Sequence, residues 1–127
     1  MKKKILVLSV SVVFAVAFTA CEDKSFDADL LIGKWSRTSP YATAENQGSE
    51  FYRYDKGGTG AHWDTADDVS EEEAQTFSWR LEKDLLTIEH DKEIDSTTVP
   101  KHYTLTVLNA STLTYKDDFG KSYTFKK

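Results

Sequence analysis

Between Phe77 and Lys126 the chain carries five short runs in which apolar and polar side chains alternate, and only one kind of sheet accommodates them. Phe77, Trp79 and Leu81 alternate with Ser78, Arg80 and Glu82, and Leu86 and Ile88 with Thr87 and Glu89. Tyr103, Leu105 and Val107 alternate with His102, Thr104 and Thr106. Leu113 and Tyr115 alternate with Thr112, Thr114 and Lys116, and Tyr123 and Phe125 with Ser122, Thr124 and Lys126. A period of two places one set on a buried face and the other in water. The threonines and aromatics also suit a pleated surface. The runs follow one another too closely for crossover helices, so the strands must be antiparallel.

The punctuation agrees with that assignment. Asp55-Lys56-Gly57-Gly58, Lys83-Asp84, Asn109-Ala110-Ser111 and Asp117-Asp118-Phe119-Gly120 stand where strands should reverse. Further strands around residues 34–38, 50–54 and 60–64 bring the count to eight. Ser70-Glu71-Glu72-Glu73 has the spacing of a capping box, which predicts one short helical turn near residues 69–74. The expected fold is all-β: an eight-stranded antiparallel up-and-down barrel, whose closure leaves no exposed edge. At this strand number the interior either fills with side chains or holds one small ligand.

The first 20 residues follow a different logic. Lys2, Lys3 and Lys4 precede an uncharged apolar stretch from Ile5 to Ala20, the layout of a secretory signal. That stretch is shorter than the roughly 20 apolar residues of a membrane-spanning helix. It ends in Phe18-Thr19-Ala20-Cys21, which resembles the lipobox of bacterial lipoproteins, with Phe18 where leucine is usual. Cys21 is the single cysteine, so it has no partner within the chain for a disulfide. The expectation is a signal over residues 1–20, lipid attached at Cys21, and a membrane anchor whose acyl methylenes each contribute roughly 0.8 kcal/mol.

Residues 21–29 then read as a tether, since four of the nine are acidic and one is aromatic. The barrel domain is expected over residues 30–127. Acidic residues directly after the cysteine resemble the surface-export signals of some Gram-negative anaerobes. The localisation expected is therefore the cell envelope, at the outer membrane and with possible display at the surface. Removing the three lysines of the signal leaves 13 basic residues against 21 acidic ones, a formal charge of −8. Nucleic acid, bound by basic patches that neutralise phosphates, is excluded as a partner on that ground.

A family resemblance follows from these landmarks. Gly33-Lys34-Trp35 opens the first strand after Leu30-Leu31-Ile32, and a Gly-x-Trp there resembles the lipocalins, in which the tryptophan closes the barrel base. Phe51-Tyr52-Arg53-Tyr54 with its Gly-rich turn, Phe77-Ser78-Trp79 and Lys116-Asp117-Asp118-Phe119-Gly120 extend the similarity to small lipocalin-like (calycin-type) lipoproteins of gut anaerobes. The resemblance implies a closing role for Gly33 and Trp35, and binding of a small apolar molecule. It also implies a basic residue late in the barrel that packs over the tryptophan, a place held here by Lys126 or Lys127.

By parity, Trp63, Phe77, Trp79, Tyr103, Tyr115 and Tyr123 face inward with Phe125, and His90 joins them at a cavity mouth. Phe51 and Tyr52 compete for one inward slot, which the sequence leaves open. These rings either fill the barrel or line a ligand cavity, and a mixed arrangement would pack one end around Trp35 and leave the other open. His62, His90 and His102 do not share a face in this reading, and no His or Cys pair has zinc-ligand spacing. The acidic stretch Asp64, Asp67, Asp68 and Glu71 to Glu73 lacks the pattern of a calcium loop and reads as a solvated helix start. Asn109-Ala110-Ser111 reads as a turn. No serine, cysteine or phosphate-loop motif supports catalysis, so no enzyme activity, metal or cofactor is expected.

The function expected is a membrane-anchored lipocalin-like lipoprotein that binds a small apolar or amphipathic molecule in the cell envelope. The rival is a packed barrel that engages another envelope protein through loops at residues 39–49, 69–74 or 91–100.

Overall fold

Alternation carries through to the observed backbone: all eight expected strands form in the computed structural model, which describes residues 24–91 and 99–127. The strands are β1 (Gly33–Thr38), β2 (Ser49–Asp55), β3 (Thr59–Asp64), β4 (Gln75–Glu82), β5 (Leu85–His90), β6 (Lys101–Leu108), β7 (Thr112–Lys116) and β8 (Ser122–Lys126). Each pairs antiparallel with its sequence neighbours, and β1 meets β8 through Ser36 opposite Lys126, which closes the barrel. The proposed signal, Cys21 and residues 92–98 lie outside the described residues.

Antiparallel order alternates the connections between two ends. The tight reversals at residues 56–58, 83–84 and 109–111 lie at one end, called the base. The longer connections at 39–48, 65–74 and 117–121 lie at the other, called the mouth, where β5 also ends and β6 begins. Among the described residues, regular helix is confined to 3-10 turns at Ala28–Leu30, Thr65–Asp67 and Glu71–Glu73. The last is the expected capped turn: the Ser70 backbone N–H donates to the Glu73 carboxylate at 3.2 Å. No described helix is long and apolar enough to cross a membrane.

The base is packed solid. Trp35 is fully buried, and its indole N–H donates to the Leu31 carbonyl oxygen at 2.8 Å, so the ring's one polar atom is satisfied. Lys127 lays its ammonium 4.9 Å from the centre of the same ring. Gly33 makes this possible, because its φ of +132° disfavours a side chain and the Lys127 stem occupies the space that a Cβ would need. Tyr54, Leu86, Leu105, Leu113 and Phe125 belong to the same buried cluster as the tryptophan. Phe26 packs against this core, and its N–H donates to the Lys83 carbonyl oxygen at 3.2 Å, so contacts with the barrel begin ahead of Leu30.

Two parities differ from the sequence expectation. Val107 was expected on the inner face, but the β6–β7 register shifts between Leu105 and Val107. A β-bulge adds one residue and reverses the parity beyond it. Leu108 therefore takes the inner slot, and Val107 is exposed. On β2, Tyr52 and Tyr54 face inward, so Phe51 faces out and, with it, its partner Trp63 on β3.

Candidate functional site

The mouth is polar where the base is apolar. Tyr52 facing inward puts Glu50 on the same face of β2, and the register brings Arg37 of β1 and Asp64 and His62 of β3 to the inner side beside it. The Arg37 Nε–H donates to Glu50 Oε1 at 2.6 Å, and His62 Nε2 lies 2.9 Å from Glu50 Oε2. Glu50 is 8% exposed, so these two partners replace its hydration. Burial alone would raise its carboxyl pKa. The hydrogen bonds from His62 and Arg37 outweigh burial and hold it below the usual carboxylate value. Glu50 is thus ionised at neutral pH.

Aromatic rings brace this group. The His62 imidazole stacks on Tyr52 at 4.3 Å between ring centres, and the Arg37 guanidinium lies 5.2 Å from the Tyr123 ring and 5.4 Å from that of Phe125. His90 meets His62 edge-on at 5.7 Å. Burial, with His62 and Lys101 nearby, lowers the His90 pKa below the ordinary imidazole value, Asp91 opposing weakly. Its Nδ1 atom is buried and has no hydrogen-bond partner among the described residues. Thus two of the three histidines share the interior, although the sequence put none of them on a common face. His102 stays outside, beside Thr87. Among the described residues no group of three metal-ligating side chains converges.

Next to this cluster β3 and β4 separate. Their pairing ends at His62 opposite Gln75, and the 65–74 connection swings away over the outer face. Glu71 fastens it there with ion pairs to Lys34 at 3.0 Å and Arg53 at 2.7 Å. The gap opens as a cleft of about 640 Å³, lined by Glu50, His62, Asp64 and Gln75 from the barrel and by Tyr41, Asp67, Val69 and Glu73 from the mouth connections, with Trp63 and Asp91 at its walls. Asp64 is held in place by the Ser39 hydroxyl at 2.6 Å and the Ala66 N–H at 2.9 Å.

The seven expected lining residues divide among five environments. Trp63 is a correction: it lies on the outer face, stacked on Phe51 at 5.0 Å and 13° under the 65–74 connection, and reaches the cleft from outside the barrel. Phe77 and Tyr115 are buried core residues, 1% and 2% exposed, whose rings fill the interior. Trp79 is half-buried toward the base, with its indole N–H bonded to the Thr59 carbonyl oxygen at 2.8 Å. His90 stands inside the mouth as expected. Tyr103 and Tyr123 line a second groove of about 310 Å³ with Pro100, Lys101, Asp118 and Phe119. Burial raises the Tyr103 hydroxyl to a pKa of about 12.

Sequence reasoning missed Arg37, Glu50, His62 and Asp64. The signal was present, since Glu50 shares parity with Tyr52 and Tyr54. It depended on Tyr52 winning the inward slot over Phe51. Comparisons of the chain with protein-family models, with curated protein sequences and with solved structures find no match.

Proposed function

We propose that this chain is a lipid-anchored, lipocalin-like lipoprotein of the cell envelope that binds a small amphipathic molecule at the barrel mouth and catalyses no reaction. The observation that carries the reading is the contrast between the two ends. The base is filled by Trp35 and the core above it, while the mouth opens into a 640 Å³ cleft, within the range of small-molecule sites. The polar lining favours an amphipathic ligand over a wholly apolar one. The anchor rests on the basic head, apolar run and Cys21 of the sequence.

Native mass spectrometry of the mature protein purified from a bacterial envelope extract tests the binding reading. Co-purification of a small molecule, or saturable tryptophan quenching by amphipathic probes, is expected. A bare mass together with no response to chemically varied probes would remove it. Replacing Cys21 with serine tests the anchor separately: the protein should move from the membrane fraction to the soluble one.

A second reading takes another envelope protein as the partner. Tyr41, Val99 and Phe119, at 68%, 71% and 94% exposure, all stand on mouth connections. Pull-down from envelope extract, lost on joint replacement of Tyr41 and Phe119 with serine, would favour it over the small molecule.

A further inference from the structure

The cleft lining specifies what its occupant must offer. Glu50 is ionised and accepts hydrogen bonds only, so the His62 nitrogen that faces it, Nε2, carries the ring proton. With Nε2 committed to Glu50, Nδ1 is the ring nitrogen left to accept a hydrogen bond, and it makes none among the described residues. His62 lines the cleft as an acceptor whose tautomer is fixed from behind by the buried Arg37–Glu50 pair. Asp67 lines the same cleft and its carboxylate has no hydrogen-bond partner among the described residues, while Glu73 bonds only to Ser70. No lysine or arginine is among the described residues of the lining. Tyr41 and Trp63 supply apolar wall beside these acceptors.

Resting on the mouth-binding reading above, we propose that the cleft takes its amphipathic ligand by a primary ammonium group, with one N–H donated to His62 Nδ1 and the charge facing Asp67 and Glu73. The apolar part of the ligand then lies against Tyr41 and Trp63. Arg37 and Glu50 are positioning residues that act through His62. A carboxylate or sulfate head would meet like charges and no lysine or arginine, a mismatch that disfavours it.

Four soluble six-carbon probes decide the matter by calorimetric titration of the mature lipoprotein: hexylamine, hexyltrimethylammonium, hexanoate and hexanol. Hexylamine should bind at least about tenfold more tightly than the other three, a difference of about 1.4 kcal/mol. His62→Phe keeps the aromatic stack and should abolish that preference. Asp67→Asn, at an exposed position, should weaken hexylamine severalfold, and Asp118→Asn across the mouth should leave it unchanged. Equal binding of hexyltrimethylammonium would overturn the role of His62, because that cation has no N–H to donate. Tighter binding of hexanoate would overturn the ammonium assignment while leaving the mouth-binding reading intact. Binding of none of the four, in a protein that still carries a small molecule from the envelope, would also overturn it.

Discussion

Lys127 holds its ammonium 4.9 Å from the centre of the Trp35 ring while it donates to the Ile32 carbonyl oxygen at 2.7 Å. The last residue of the chain is thereby tied to the strand that opens the barrel. The tie matters because β1 and β8 share a single register pair. Of the two late lysines open from the sequence, Lys126 and Lys127, Lys127 makes this contact.

Trp35→Ala should therefore destabilise the fold by about 3–5 kcal/mol, the usual cost of removing a large buried aromatic. Lys127→Ala should cost only about 0.5–1 kcal/mol, since an exposed cation over a ring contributes little more. Urea unfolding midpoints of the two variants, read at constant m-value, check the ratio. Equal losses would mean that the tie, rather than the tryptophan's burial, dominates the base.

The β6 bulge makes an opposite prediction for two adjacent residues. Leu108→Ala should cost about 2–5 kcal/mol because Leu108 packs into the core. Val107→Ala should stay within about 0.5 kcal/mol, as an exposed substitution does. Thermal denaturation separates the two, and a larger loss at Val107 would show that the register runs unbroken.

Gly60 is tested by steric fit. A Cβ there would strike the Arg53 carbonyl oxygen and the Phe77 ring, neither of which can move away without disturbing the sheet or the core. Gly60→Ala should destabilise by about 1–3 kcal/mol, in the range of overpacked cores. An unchanged midpoint in chemical denaturation would place Phe77 elsewhere.

Glu50 and His90 carry the pH response of the mouth cluster. Glu50 has a folded pKa below its unfolded value, so its stabilisation is present above the ordinary carboxylate range and is lost as pH falls through the folded value. His90 also has a lowered folded pKa, so the unfolded chain takes up its proton first and stability begins to fall below the ordinary imidazole value of about 6.5. The wild type should thus weaken in two stages on acidification. His90→Phe should remove the upper stage and Glu50→Gln should flatten the lower one, as followed by melting temperature against pH. An upper stage that survives in His90→Phe would assign it to another group.

Much of the fold was legible because the side-chain period of a strand is two and the runs from Phe77 onward obey it, except past the β6 bulge at Val107. The limits of that reasoning show at particular residues. Phe51-Tyr52 and His62-Trp63 each offer two neighbours fit for the interior, and a one-residue slip sends the whole strand's set to the other face. Parity placed Trp63 inside, whereas the outer face is equally apolar there because the 65–74 connection covers it. That covering is a tertiary event, fixed by Glu71 reaching Lys34 and Arg53, and local sequence does not announce it. The same ambiguity concealed the Arg37–Glu50–His62 cluster. Whether Phe77 and Tyr115 line a space or fill it depends on distances across the barrel, which alternation does not encode.

The central claim is that binding belongs to the mouth cleft and that the packed base takes no part. Backbone amide chemical-shift mapping of the mature protein during a hexylamine titration tests it most directly. Saturable shifts should concentrate at Tyr41, His62, Asp67 and Gln75, while Trp35 and Leu113 stay fixed. Shifts centred on Phe77, Tyr115 and Leu113 would contradict it, for the ligand would then occupy the interior that these side chains fill.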